Sequence, residues 1–235
     1  MKKCLIYFSV IGENYKKMLE MSISSLLYNG YTDDILVLTD ENKIINEKIK
    51  YVNSINELKK INSKIKAKHM KSFIHKFVNL KDYEYVIYFD SDILFYKNIS
   101  NFYKQMDENV FIVQYDRFND ITKNTITSGT EFLNQETRNK YKLNINSGMV
   151  GQKQNKNICI YKLWNDEMIN KNFNFNSDQG ALYSTVINND LYDDIYESKS
   201  GDFYYDLKNY NDFVYIHYQG NGINKMTNDF FKYFK

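Results

Sequence analysis

The amino-acid sequence predicts an α/β fold, one domain over residues 1–235 with a Rossmann-like first half and a mixed central sheet. Three observations point there. Short, continuously apolar, β-prone runs alternate with longer stretches of helical periodicity, the pattern of a parallel sheet covered on both faces. The strongest apolar run ends directly in a pair of aspartates, Asp90 and Asp92. A chain of 235 residues suits one layered core better than two.

Cys4-Leu-Ile-Tyr-Phe-Ser9 reads as the first buried strand. Glu13 to Asn29 carries Met18, Met21, Ile23, Leu26 and Leu27 on an approximate helical stripe, and Gly30 supplies a stop. Ile35-Leu-Val-Leu-Thr39 is the second strand and Tyr51-Val52 a short third. Lys64 to Leu80 is predicted as a helix, Tyr85-Val-Ile-Tyr-Phe89 as a strand, and Val110-Phe-Ile-Val113 as another. Residues 116 to 140, polar and rich in Thr and Asn, read as a long loop with short helical pieces. Ile145 to Val150 reads as a turn and strand, Ile158 to Asn170 as a helix with Trp164 on its core side, and Ser177 to Ile187 as a helix with a loop start. Phe213-Val-Tyr-Ile-His217 is the last strand.

The formal charge of +2, from 31 basic and 29 acidic residues, argues against a dedicated nucleic-acid binder, which normally carries a basic stripe. Cys4 and Cys159 are too few for a disulfide framework or a four-ligand zinc site, which suits a reducing, cytoplasmic setting. No apolar stretch reaches the ~20 residues that span a bilayer, and the N-terminus does not read as a signal peptide. The C-terminal Phe230-Phe-Lys-Tyr-Phe-Lys235 suits either a peripheral membrane contact or packing back on the domain. The 22 tyrosines accompany abundant Lys, Asn and Ile and a complete lack of proline; that bias describes the source more than a sugar-stacking surface.

An apolar strand followed at once by Asp-x-Asp puts two carboxylates at the C-terminal edge of the sheet, where open α/β sheets bind ligands. Carboxylates that close repel one another, and a hard divalent cation relieves the repulsion while bridging to phosphate oxygens. The plain reading, solvated loop residues or helix caps, fits less well. Apolar runs flank the pair on both sides, Tyr85–Phe89 before it and Ile93-Leu-Phe95 after it.

The segment Tyr83-Glu-Tyr-Val-Ile-Tyr-Phe-Asp90-Ser-Asp92-Ile-Leu resembles the DxD segment of GT-A glycosyltransferases, above all the retaining family of glycogenin and the bacterial lipopolysaccharide galactosyl- and glucosyltransferases. Three further segments match in order: Asn144-Ile-Asn146-Ser-Gly148-Met149, Ser177-Asp178-Gln179-Gly180 and Ile216-His217-Tyr-Gln-Gly220. The resemblance implies a GT-A fold and a Mn²⁺ or Mg²⁺ ion on Asp90, Asp92 and His217. It implies a UDP-sugar donor and a glycan, lipid-linked glycan or protein acceptor. Asp178 would bind sugar hydroxyls, Gln179 would face the reacting carbon, and Asn146 would bond donor or acceptor sugar. Ser9 and Tyr15 would lie beside the base, and Ser91, Gly220, Gly222 and Lys225 beside the phosphates. Of the upstream lysines Lys68, Lys71 and Lys76, Lys71 is the favoured phosphate partner. The family's Pro-Trp after its C-terminal lysine is absent here, which leaves Lys225 the least anchored assignment.

Each residue has a plainer reading. Tyr15 suits a helix-start aromatic packed on the core, Asp178 the first turn of a helix capped by Ser177, Asn146 a turn residue, and the two glycines an ordinary turn. His69 and His75, in a lysine-rich segment, are expected on solvated faces. The rival enzyme is a haloacid dehalogenase-type phosphatase with Asp90 as nucleophile and Asp193-Asp194 as its late acidic motif. The non-enzyme rival is a carbohydrate-binding domain of the same fold.

Overall fold

The computed structural model describes residues 2–59, 66–115, 136–137, 140, 145–154, 157–170, 178–198, 201–202, 213–219 and 222–234. The first strand, β1 (Lys2–Ser9), runs into α1 (Glu13–Tyr28) through Gly12, whose φ of 92° suits glycine. Next come β2 (Asp34–Thr39), β3 (Lys43–Ile44), β4 (Ile49–Asn53) and the short helices α2 (Ile55–Lys59) and α3 (Lys66–His69). Then follow β5 (Tyr83–Phe89), β6 (Ile93–Phe95), α4 (Ser100–Glu108), β7 (Phe111–Tyr115), β8 (Ile145–Lys153), α5 (Ile160–Asn170) and α6 (Asp178–Asn188). The chain ends with β9 (Ile195–Ser198), β10 (Gly201–Asp202), β11 (Tyr215–His217) and α7 (Ile223–Tyr233).

Among the described residues the main sheet has eight strands in the order β3-β4-β2-β1-β5-β8-β7-β9. Strands β4, β2, β1 and β5 are mutually parallel, and β8 enters antiparallel beside β5. The expected mixed sheet with a parallel first half is thus what forms. Alternation along β1 explains its unbroken apolar run. Cys4, Ile6 and Phe8 face α1 and α4, with Leu19, Ile23, Leu26, Phe102 and Met106. Leu5 and Tyr7 face the opposite layer, with Trp164, Tyr161 and Leu182. Trp164 is fully buried, as the sequence predicts.

A second, three-stranded sheet, β10-β11-β6, decides where the site lies. Strands β5 and β6 belong to different sheets, so the chain crosses between them at Asp90-Ser91-Asp92. Antiparallel pairing of β11 with β6 sets His217 opposite Ile93, one residue past the acidic turn. The Tyr218 amide donates to the Asp92 carbonyl at 2.7 Å and closes the junction.

The helix predicted for Lys64 to Leu80 does not form as one piece. Its described part is α3, then 3₁₀ turns at Met70–Ser72, Ile74–Lys76 and Leu80–Asp82. Met70, Phe73, Ile74 and Phe77 have helical spacing, but tertiary contacts claim the backbone instead. The Tyr7 hydroxyl donates to the Lys71 carbonyl. The His69 ring donates from Nε2 to the Met168 carbonyl of α5 at 3.2 Å, and Ser72 Oγ bonds the His69 carbonyl at 2.9 Å. His69, Met70, Ser72, Phe73 and Ile74 are all buried, five of six successive positions and too many for one apolar helical face. The expectation that His69 is solvated is corrected accordingly. His75 is half-buried, and its Nδ1 donates to the Ser72 carbonyl.

The C-terminal aromatic segment packs back as α7. Met226 and Phe230 bury against Leu94, Ile216 and Tyr218, and Phe234 meets Tyr28 and Tyr96. Phe231 alone among its phenylalanines is strongly exposed, at 52%. The expected membrane contact therefore finds no support in the packing. Among the described residues no helix is long and apolar enough to cross a membrane. The polar stretch 116–140 falls almost wholly outside the described residues, as do Asn144, Ser177 and Gly220.

Candidate active site

Asp90 and Asp92 stand at the C-terminal end of β5, and β11 delivers His217 to them. One ligand atom from each lies within 4.8 Å of the others. His217 Nε2 is 3.0 Å from Asp92 Oδ1 and 3.7 Å from Asp90 Oδ2. Burial disfavours a charged imidazole, but Asp92 and then Asp90 outweigh it and hold the ring more basic than an ordinary histidine. Burial likewise raises the Asp92 carboxyl, and His217, followed by Lys71, more than reverses that, so its pKa ends below the usual range. Two carboxylates and one imidazole, all turned to a common point, make a donor set suited to Mn²⁺ or Mg²⁺.

Lys71 joins this group to the second one. Its Nζ sits 2.8 Å from Asp90 Oδ1 and 2.7 Å from Asp178 Oδ2, and 5.5 Å from the centroid of the Tyr88 ring. Burial disfavours the ammonium, but Asp178 and Asp90 reverse the effect and leave Lys71 holding its proton more tightly than a free lysine. Asp178 opens α6 and is buried to 4% exposure. Burial would raise its pKa, yet Lys71 and the 2.6 Å hydrogen bond from Ser147 Oγ keep it ionised and below the ordinary range. Its carbonyl accepts from Trp164 Nε1 at 3.0 Å, and Lys68 Nζ stands 3.7 Å from Oδ1. Lys76, the third upstream lysine, points elsewhere, to Glu57 at 3.9 Å.

The Asn-Ser-Gly segment lies inside β8, and it serves both groups. Ser147 bonds Asp178. Asn146 Oδ1 accepts from the Gly148 amide at 2.7 Å, and the Gly148 carbonyl accepts from the Asp90 amide at 2.8 Å. A Cβ at Gly148 would stand 2.4 Å from His217 Cε1, so only glycine lets the imidazole lie against the strand. Gly222 has a comparable reason: its Cβ would meet the Tyr218 carbonyl oxygen at 2.5 Å.

The remaining predicted residues sit around this centre. Ser91 and Gln179 are buried beside Asp90 and Asp178 in the chain. Ser9 ends β1, where its Oγ lies 3.2 Å from the Tyr88 hydroxyl, which in turn donates to Asp90 Oδ1. Lys225 Nζ is 3.2 Å from both oxygens of buried Asp229, which accepts from the Tyr218 hydroxyl at 2.8 Å. Tyr15 is 56% exposed on α1, away from the core position of its plain reading. Asp193 and Asp194 precede β9, separated from β5 by β8 and β7, and do not join Asp90.

Two contributors were not singled out from the sequence. Tyr88 lies two residues before Asp90, hence on the same strand face, a relation period-two alternation makes legible. Gln114 is the one polar residue in the run Phe111-Ile-Val-Gln114-Tyr115, and it is almost fully buried. Its Oε1 lies 3.0 Å from His217 Nδ1.

No family model matches the sequence, and no curated protein matches it. Solved structures do. The galactosyltransferase LgtC, in complex with donor and acceptor sugar analogs, is 12% identical with a TM-score of 0.63, over 97% of this chain and 96% of that one. This chain has the GT-A glycosyltransferase fold. The apo structure of the bifunctional glycosyltransferase WbbM is 11% identical with a TM-score of 0.66, over 97% of this chain and 50% of that one. Mouse xyloside xylosyltransferase 1, in its apo form, is 12% identical with a TM-score of 0.56, over 94% of this chain and 97% of that one. At this identity the shared property is the fold, the GT-A architecture that the resemblance of the Asp90 segment implied.

Proposed function

We propose that the chain is one glycosyltransferase domain, dependent on a divalent metal, that moves a hexose from a UDP-sugar to an acceptor hydroxyl with retention of anomeric configuration. One observation carries the reading. A GT-A sheet edge gathers a metal-type triad, Asp90, Asp92 and His217, and couples it through Lys71 to the buried carboxylate Asp178.

Asp90, Asp92 and His217 would hold the ion, Mn²⁺ or Mg²⁺, which would supply Lewis-acid stabilisation to the departing diphosphate. The residues do the rest. Lys71 keeps Asp178 ionised, holds Asp90 in place, and adds positive charge next to the leaving group. Asp178 Oδ2 is engaged by Ser147 and Lys71, which leaves Oδ1, 3.7 Å from Lys68 Nζ, to accept from a sugar hydroxyl. Gln179, next on α6, faces the anomeric carbon. Lys225, steadied by Asp229, meets the terminal phosphate. The anomeric C–O bond to the diphosphate breaks, the acceptor oxygen bonds that carbon, and the acceptor's proton passes to the leaving phosphate. Such chemistry needs no strong protein base. The phosphatase reading asks Asp90 to be an unhindered nucleophile, whereas Lys71 and Tyr88 hold it.

Release of UDP, GDP or CMP from a panel of sugar nucleotides, with Mn²⁺ and with chelator, tests the proposal on wild type and Asp92→Asn. Metal-dependent release from one UDP-sugar, lost in the variant, is expected. Phosphate release from sugar phosphates, with none from any nucleotide sugar, overturns it.

A further inference from the structure

We infer that Gln114 is a positioning residue for the metal site: by accepting a hydrogen bond from His217 Nδ1–H it fixes the imidazole tautomer that presents Nε2 to the ion. The inference rests on the metal reading above. Four observations carry it. Gln114 Oε1 and His217 Nδ1 are 3.0 Å apart, and both residues are nearly fully buried, so solvent does not compete. Nε2 is the nitrogen turned to Asp92 and Asp90, so a ligating ring must carry its proton on Nδ1. The pairing of β7 with β8 shifts register between Val113 and Gln114. Val113 lies opposite Val150 but Gln114 opposite Asn146, a bulge of the kind that re-aims a side chain beside a site. The β8 residues skipped by that shift include Gly148, whose missing Cβ makes the room His217 occupies. Bulge, glycine and glutamine therefore converge on one ring. A buried glutamine in an apolar strand otherwise has a cost and no evident return.

Outer-sphere hydrogen bonds of this kind typically change metal affinity ~10- to 100-fold. The test measures Mn²⁺ affinity of the full chain by electron paramagnetic resonance of the free ion, for wild type, Asp92→Asn, Gln114→Met and Gln114→Glu. It adds the imidazole ¹⁵N shifts of His217 in Cd²⁺-loaded protein. The expected result is a loss of about ten-fold or more for Gln114→Met, with an unchanged unfolding midpoint and a weakened Nδ1–H signature, and near-wild-type affinity for Gln114→Glu, which keeps an acceptor. Affinity within two-fold of wild type in a folded Gln114→Met overturns the inference and leaves the metal reading standing. Should Gln114→Met fail to fold, Gln114→Glu decides: wild-type affinity or better supports the role, and a loss as large as that of Asp92→Asn removes it. A wild type that binds no Mn²⁺ overturns both readings together.

Discussion

The ammonium of Lys71 lies 2.7 Å from a carboxylate oxygen of Asp178, a residue 107 positions later in the chain, in a setting where neither side chain has much water. The same nitrogen holds Asp90, so one cation joins the acidic turn after β5 to the first turn of α6. Lys71→Met leaves the buried carboxylate of Asp178 without its cation and facing the half-buried Asp90. The expected loss is about 3–5 kcal/mol of stability, the usual consequence of breaking a buried pair, together with loss of donor turnover. Denaturant unfolding followed by the fluorescence of Trp164, the chain's one tryptophan, measures the first. A stability change under about 1 kcal/mol contradicts this account of the pair, being the size expected of an exposed one.

Asp178 gives a pH signature with a definite sign. Its folded pKa is lowered, so its contribution to stability is complete above the unfolded value of about 3.9 and is lost as pH falls through the folded one. The stability gap between wild type and Asp178→Asn should be constant near neutrality and shrink in acid, below about pH 4. Unfolding curves for both proteins across that range check it, and a gap that widens in acid refutes the assignment.

Gly148→Ala sets a methyl against His217 Cε1 in a packed interior. Overpacking of this kind costs roughly 1–3 kcal/mol. The imidazole also has to move, so Mn²⁺ affinity should fall by more than stability alone accounts for. Gly151→Ala is the comparison, since a Cβ there meets Ile112 and Met106 and no part of the triad. Equal effects of the two substitutions on Mn²⁺ binding would falsify the link between Gly148 and His217.

Metal should stabilise the fold by mass action. At a hundred times its dissociation constant Mn²⁺ adds about 2.7 kcal/mol, which chelator removes. The shift should vanish in Asp92→Asn and His217→Ala and persist in Lys225→Ala. Thermal unfolding with and without the ion reads this directly.

The sequence alone determined the layered α/β architecture, because every strand buried on both faces must be apolar throughout, as Cys4–Phe8 and Tyr85–Phe89 are. It also pointed to the candidate site, since an Asp-x-Asp after such a strand sits at the sheet's edge, and the resemblance at Asn146, Asp178 and His217 implied the side chains that the fold brings near it. Tertiary structure decided what periodicity could not. Lys64 to Leu80 has helical spacing, yet Tyr7 and Met168, distant in sequence, bind its carbonyl and its histidine and break it into 3₁₀ turns. Which of Lys68, Lys71 and Lys76 lies over Tyr88 between two carboxylates had no local signal, because it depends on where β5 and α6 meet the segment. Gln114 was invisible for the same reason. A hydrogen bond across 103 residues exists only once β7, β8 and β11 have met.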